Sequence, residues 1–273
     1  MTYINLNGTL EKSVSDKVQI QNRGFTYGDA LFDVLKFEAG KLAFLEDHYF
    51  RLMSSMRMLR MRIPNHFTLE GYEKELFKTL EANEINGSAR IRTSVFRAGG
   101  GFYSPESNQS EYRIEAGELP QAVDSSCEIE LFKDYHVSSG LLSTVKTNNR
   151  MVNVLGSIFA QENDYQNAIL INERKELVGA TDSNLFLVKG EKIITPALDS
   201  GCINGIIRKK VIEHLKIKKG RLVEETAVSP FELLKVDEVF LTNSIIGIQS
   251  VDRYRKKSFQ DSVAREVRSD LKL

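Results

Sequence analysis

Lys146 closes the apolar run Ser143-Thr144-Val145 and is followed by TNNRMVNVLGSIFA. A lysine there is either an exposed strand end or an amine whose pKa is lowered enough to attack an aldehyde and form a Schiff base. Its neighbours must decide. Asn204-Gly205-Ile206-Ile207-Arg208 opens a helix, and the unpaired backbone N–H groups at such a terminus bind phosphate well, although many helices that start this way bind nothing. Thr242, Asn243 and Ser244 close a strand with three hydrogen-bonding side chains, which either complete a phosphate cup or make a turn. Arg51, after the run EDHYF, is either a charge-assisted partner of the same phosphate or one more surface arginine.

The elements that carry these residues are mixed. Three- and four-residue apolar steps predict helices over Leu45 to Arg60 and Thr68 to Glu84. Arg90 to Phe96 reads as a strand, followed by the glycine loop AGGGFYSPES. Beyond the polar stretch GELPQAVDSS come expected strands at Glu128 to Phe132 and Leu141 to Val145, then a helix whose apolar face is Met151, Leu155, Ile158 and Phe159. Further strands are expected at Ala168 to Ile171, Leu185 to Val188, Ile193 to Thr195 and Val239 to Thr242, with a turn at Lys189-Gly190 and a helix over Ile206 to Leu215. This is an α/β or α+β chain. The boundaries drawn are an α+β domain over 1–115, a linker over 116–125 and a mixed α/β domain over 126–273.

Lysine plus arginine number 37 and aspartate plus glutamate 37, so no global field recruits nucleic acid or an anionic membrane. No stretch approaches the roughly 20 apolar residues that span a bilayer. The start, MTYINLNGTLEKS, has none of the basic, apolar and small-residue regions of a signal peptide. Cys127 and Cys202 offer no metal-ligand spacing and no disulfide framework. A cytoplasmic protein with reduced thiols is expected. The four histidines do not cluster, and His48 is expected at the surface or as a cap, so no metal is implied.

Together these pieces resemble the fold-type IV (class IV) family of enzymes dependent on pyridoxal 5′-phosphate (PLP): branched-chain aminotransferases, D-amino-acid aminotransferases and 4-amino-4-deoxychorismate lyases. NRGFTYGDALFDVLKFEAGKLAFLEDHYFRL resembles the family's opening, VKTNNRMVNVLGSIFA its Schiff-base segment, GCINGIIRKKVI its phosphate-binding helix entry and VFLTNSIIGIQSV its last phosphate-side loop. The resemblance implies PLP on Lys146 and its phosphate held by Arg51, the amides of Ile206 and Ile207, and Asn243. It places Phe32 where some members use a tyrosine, and Arg97 with Tyr103 at the substrate mouth; the bland alternative for that glycine loop is simple flexibility. The Asn-Arg and Asn-Ser forms of two motifs lean toward the lyase branch. It also implies a homodimer acting on a small amino acid or an amino-chorismate-like substrate.

One departure stands out. Members carry a glutamate that pairs with the pyridine nitrogen, and the ungapped position in GATDSNLF is Gly179. Space beside the cofactor is expected there, with Glu176 on the opposite face and Asp182 the nearest acid. Three functions follow in order: an aminotransferase, a lyase of the aminodeoxychorismate type, and a degenerate member that binds PLP without turnover.

Overall fold

The computed structural model describes residues 2–12, 22–119 and 126–273 and divides into two compact units. The first spans residues 1–122 and takes in the excursion 146–149, which lies within the sequence of the second.

In the first unit, β1 (Tyr3–Leu6), β2 (Thr9–Lys12), β3 (Ala30–Glu38), β4 (Lys41–Leu42), β5 (Ala89–Arg97) and β6 (Ser110–Glu118) form one antiparallel sheet. Its order is β2-β1-β6-β5-β3-β4. Helices α2 (Leu45–Met58) and α3 (Leu69–Ala82) follow a single turn of helix, α1 (Arg23–Thr26). Strands alternate their side chains across the sheet, so Leu31, Leu35, Ile91, Val95 and Ile114 face one core. Leu52, Met56, Tyr72, Leu76 and Leu80 of the two helices complete that core. Thr68 caps α3 by accepting from the Gly71 amide. α2 stops at Met58, two residues short of the expected Arg60, which sits in the left-handed region at φ 56°. β6 runs on to Glu118, so the first residues of the expected linker 116–125 are strand, with Ala116 and Gly117 opposite Ile91 and Arg90. Residues 120–125 of that linker lie outside the described residues.

The excursion reaches β3 directly. Thr147 bridges Leu31, the Phe32 amide donates to the Lys146 carbonyl at 2.8 Å, and the Asn148 amide donates to the Ala30 carbonyl at 2.9 Å. Lys146 is therefore pinned by backbone bonds to the strand that carries Phe32 and Asp33.

The second unit contains β7 (Glu128–Leu131), α4 (Met151–Glu162), β8 (Asn167–Ile171), β9 (Leu177–Ala180), β10 (Asn184–Lys189), β11 (Lys192–Pro196), α5 (Ile206–Glu213), β12 (Val223–Thr226), β13 (Glu238–Asn243), β14 (Gly247–Ser250), β15 (Arg253–Tyr254), β16 (Lys257–Ser258) and α6 (Ser262–Leu271). Two five-stranded sheets result, β12-β11-β10-β13-β14 and β16-β15-β7-β8-β9, with parallel and antiparallel pairs in both. Ile129, Ile169, Leu185, Leu187, Val239 and Leu241 fill the core that the two sheets share. The expected strand over Leu141 to Val145 is instead a 3₁₀ turn over Leu141–Thr144, opened by Gly140 at φ 127°. Helix α4 departs from its expected face too: Leu155 and Phe159 pack inward, whereas Met151 and Ile158 are exposed.

Candidate active site

Within the first unit the outer face of β3 and β5 gathers the reactive groups. Lys146 Nζ lies 4.7 Å from the centre of the Phe32 ring and the Arg92 guanidinium 3.9 Å from it. Both cations are drawn to the ring's negative faces. Arg92 was not singled out from sequence, where it is one of several strand arginines. Its Nε donates to Ser94 Oγ at 3.1 Å. Partial burial, with Arg90 and Arg113 close by and only Glu115 opposing them, holds its pKa below the usual guanidinium value. An anion docked there would relieve that crowding.

On the core face of the same strands, Arg51 reaches from α2 to Asp33. Its Nε and Nη2 donate to the two carboxylate oxygens at 2.9 and 2.8 Å. His48, one helical turn earlier, places Nδ1 2.6 Å from Asp33 Oδ1. His48 is 1% exposed, so the expected surface position is wrong: it lies inside, against a buried carboxylate. Asp33 is fully buried, which pushes its pKa up, but the charges and hydrogen bonds of Arg51 and His48 outweigh that and bring it down to about 2.

The two expected substrate residues on and after β5 lie in different settings. Arg97 is buried, with Nε on Asp29 Oδ2, Nη1 on Asn108 Oδ1 and Nη2 on the Leu59 carbonyl, at 2.9, 2.6 and 2.7 Å. Its guanidinium ties together three segments, those of Asp29, Leu59 and Asn108. Tyr103 is 92% exposed and its ring centre lies 5.7 Å from that of Tyr27. The glycine loop beneath it is held by Arg23, which donates to the Gly100, Gly101 and Phe102 carbonyls.

In the second unit α5 begins without a side-chain cap. Gly205 is the N-cap residue, no acidic residue stands in the first turn, and buried Arg208 stands there instead. Its charge at the positive helix end is met by Glu225, 3.0 Å from Arg208 Nη2. A Cβ on Gly205 would meet Asn184 Oδ1 at 2.0 Å. Glycine alone therefore lets the helix entry lie against β10, with Asn184 Nδ2 on the Ile203 carbonyl at 2.8 Å. Thr242, opposite Asn184 on β13, buries an Oγ1 that has no hydrogen-bond partner among the described residues. Asn243 folds the next turn: its Oδ1 accepts from the amides of Ile245 and Ile246, and its Nδ2 donates to Ser183 Oγ.

Gly179 pairs with Leu170 on β8. A Cβ there would lie 2.8 Å from the Ser183 carbonyl, which accepts from the Ala180 amide to close the turn. The space expected beside Gly179 is filled by backbone. Asp182 accepts from Asn167 Nδ2 and Ser183 Oγ, both at 2.9 Å, and Glu176 is bound to Arg174, Asn172 and Ser200.

Residues 30–254 match the family model for class IV amino-transferases. The chain belongs to the class IV aminotransferase family. This class IV chain is 27% identical to the aminodeoxychorismate lyase of Vibrio harveyi, over 86% of each protein, and 28% identical to the D-alanine aminotransferase of Bacillus licheniformis, over 90% of this chain and 87% of that one. The branched-chain amino acid aminotransferase of Thermobaculum terrenum in its PLP form superposes with a TM-score of 0.86 at 23% identity, covering 99% of this chain and 92% of that one. That likeness concerns the fold. The family implies PLP, and the second unit suits its phosphate: an uncapped helix entry and a Thr242 hydroxyl with no partner among the described residues both fit an anion. At Gly179, where the resemblance expects the family's glutamate, the chain supplies no carboxylate.

Proposed function

We propose that this chain is a PLP-dependent aminotransferase of small amino acids, with Lys146 as the amine to which the cofactor's aldehyde is joined. Bound PLP would supply the electron-withdrawing ring that accepts the electrons left when the substrate's α-proton departs. The protein's part is the proton. With PLP bound, Lys146 would hold its aldehyde, and Lys146 Nζ would serve as the general base and then acid that moves the substrate's α-proton.

The observation that carries this reading is the pairing of Lys146 and Arg92 over the one Phe32 ring. It sets a nucleophilic amine beside an anion-seeking guanidinium, which is what a reaction on the α-carbon of a carboxylate needs. Arg51, the Ile206 and Ile207 amides and the Asn243 turn are assigned to the phosphate, and Phe32 to the floor beneath the reacting amine. Tyr103 remains a candidate at the substrate mouth.

A second reading, an aminodeoxychorismate-type lyase that eliminates pyruvate, is favoured by the Vibrio harveyi relative and by the missing carboxylate at Gly179. One experiment separates the readings. Purified protein is mixed with L- and D-amino acids and with aminodeoxychorismate while absorbance and pyruvate are followed. Conversion of the cofactor to its amine form by an amino acid supports the aminotransferase. Pyruvate release from aminodeoxychorismate supports the lyase, and cofactor absorbance unchanged by every substrate leaves the degenerate member. Lys146→Ala should lose the visible absorbance of attached cofactor in a protein that still folds.

We assign the assembly to a homodimer in the cytoplasm. The exposed apolar residues Leu141, Leu142, Met151, Val154 and Ile158 support an interface, and no described helix is long and apolar enough to cross a membrane.

A further inference from the structure

Of the described large apolar side chains, the two most exposed are neighbours, Tyr103 at 92% and Phe102 at 84%. Yet the backbone that carries them is fixed from within. Arg23, 4% exposed, donates from Nη1 to the Gly100, Gly101 and Phe102 carbonyls at 3.3, 2.9 and 2.7 Å and from Nε to Asp29 Oδ2 at 2.9 Å. The same Asp29 oxygen receives Arg97 Nε at 2.9 Å. Two buried guanidiniums thus share one carboxylate oxygen, and carbonyl dipoles must meet the rest of their charge. Gly101, at φ 93°, is required by this turn, since a Cβ there would lie 2.4 Å from the Ser104 carbonyl.

Three successive carbonyls turned on one point repel one another unless a cation stands between them, so the Arg23 guanidinium is what lets the loop close on itself. It also reaches Tyr103 by a second route. Arg23 opens α1 and Tyr27, four residues on, closes it, a spacing that puts the two on one helix face. The guanidinium carbon lies 5.0 Å from the centre of the Tyr27 ring, which in turn lies 5.7 Å from that of Tyr103. Tyr103 is held through its own main chain and through its neighbour's ring, and an aromatic face kept in place in water is preorganised for contact. We propose that Arg23 and Asp29 are positioning residues that latch the glycine loop, so that Tyr103, backed by Tyr27, presents a fixed face to an apolar side chain of the substrate. The inference rests on the assignment of Tyr103 to the substrate mouth.

The test follows the half-reaction of the full-length holoenzyme by cofactor absorbance, with alanine and with the longest aliphatic amino acid that reacts, each as the enantiomer that reacts. The proteins are wild type, Arg23→Gln, Arg23→Lys, Tyr103→Ala and the double variant Arg23→Gln/Tyr103→Ala. Tyr103→Ala should raise the half-saturating concentration of the longer amino acid about tenfold more than that of alanine, the scale of one lost apolar contact with a substrate side chain. Arg23→Gln should shift the ratio the same way, because the loop without its cation opens. The double variant should be no worse than its weaker parent, since both changes act on one contact. The chain has no tryptophan, so Tyr103→Trp reports on the loop alone. Its fluorescence anisotropy should fall when Arg23→Gln is added.

Equal losses for both amino acids, losses that add in the double variant, or an anisotropy that Arg23→Gln does not lower would mean a merely structural role and overturn the proposal. So would reaction with alanine alone, or a Tyr103→Ala chain that sediments as a smaller species than wild type, which would make the aromatic pair an assembly contact. Should Arg23→Gln not fold, Arg23→Lys keeps a cation under the loop without the fork to Asp29 and decides by the same ratio. If the wild type reacts with no amino acid, the functional assignment itself fails. If it reacts, and Tyr103→Ala shifts the ratio while the Arg23 variants do not, the assignment stands and the latch fails.

Discussion

Asp33 carries a pH dependence that can be worked out in sign. Its pKa falls from an ordinary 3.8 to about 2 on folding, so the folded state gains stability above pH 3.8 and loses it as pH drops toward 2. The difference is worth about 2 kcal/mol. Urea titrations between pH 5 and 2 should show that loss in the wild type and a flatter profile in Asp33→Asn. Gly179 permits an equally direct test. Restoring the family's acid by Gly179→Glu looks attractive from sequence, but the added Cβ would meet the Ser183 carbonyl at 2.8 Å. Backbone must move, at a cost of about 1–3 kcal/mol. The variant should melt lower than wild type and gain no transamination rate. A faster half-reaction at unchanged melting temperature would show that the turn gives way.

At the level of elements, the entry of α5 depends on a residue without a side chain. Gly205→Ala would push against Asn184, whose Oδ1 stands 2.0 Å from the new Cβ and whose Nδ2 is already bonded to the Ile203 carbonyl. Destabilisation of about 1–3 kcal/mol is expected, together with weaker PLP retention on dialysis; retention at the wild-type level would remove α5 from the phosphate site. On β5, Arg92→Gln should raise KM for anionic substrates about tenfold, the loss expected of one charge-assisted contact, and leave the absorbance of attached cofactor in place. An unchanged KM would show that the guanidinium serves the sheet alone. Elements were legible where apolar spacing was regular, as in α3 and β5. The segment Leu141–Thr144 was not: its residues have strand propensity, but the 3₁₀ turn after Gly140 gives them no ladder partner.

For the whole molecule, the outward-facing side chains of α4 offer a test of the proposed dimer. Met151 and Ile158 are 68% and 44% exposed. A dimer that buries them should fall to a monomer in Met151→Glu/Ile158→Glu, as read by sedimentation, because two charges would be desolvated at the interface. A variant that sediments like wild type would locate the interface elsewhere. The family pattern itself extends from Ala30 to Tyr254, which is why the fold could be recognised from four short motifs distributed along the chain.

The sequence by itself determined the family, the mixed fold and the candidate amine at Lys146, because those depend on residue type, local order and apolar periodicity. It could not separate Arg97 from Arg92. Both sit on β5, five residues apart, and opposite faces of a strand differ only by the pleat. Tertiary structure decided that Arg97 is spent on Asp29 and Asn108 and that Arg92 stands over Phe32. It likewise drew His48 inward to Asp33, a contact between residues 15 positions apart. Nor did local sequence reveal that the turn after Gly179 folds its own carbonyl into the space an acid would need. In each case the deciding fact is a contact across strands or turns, which no local pattern encodes.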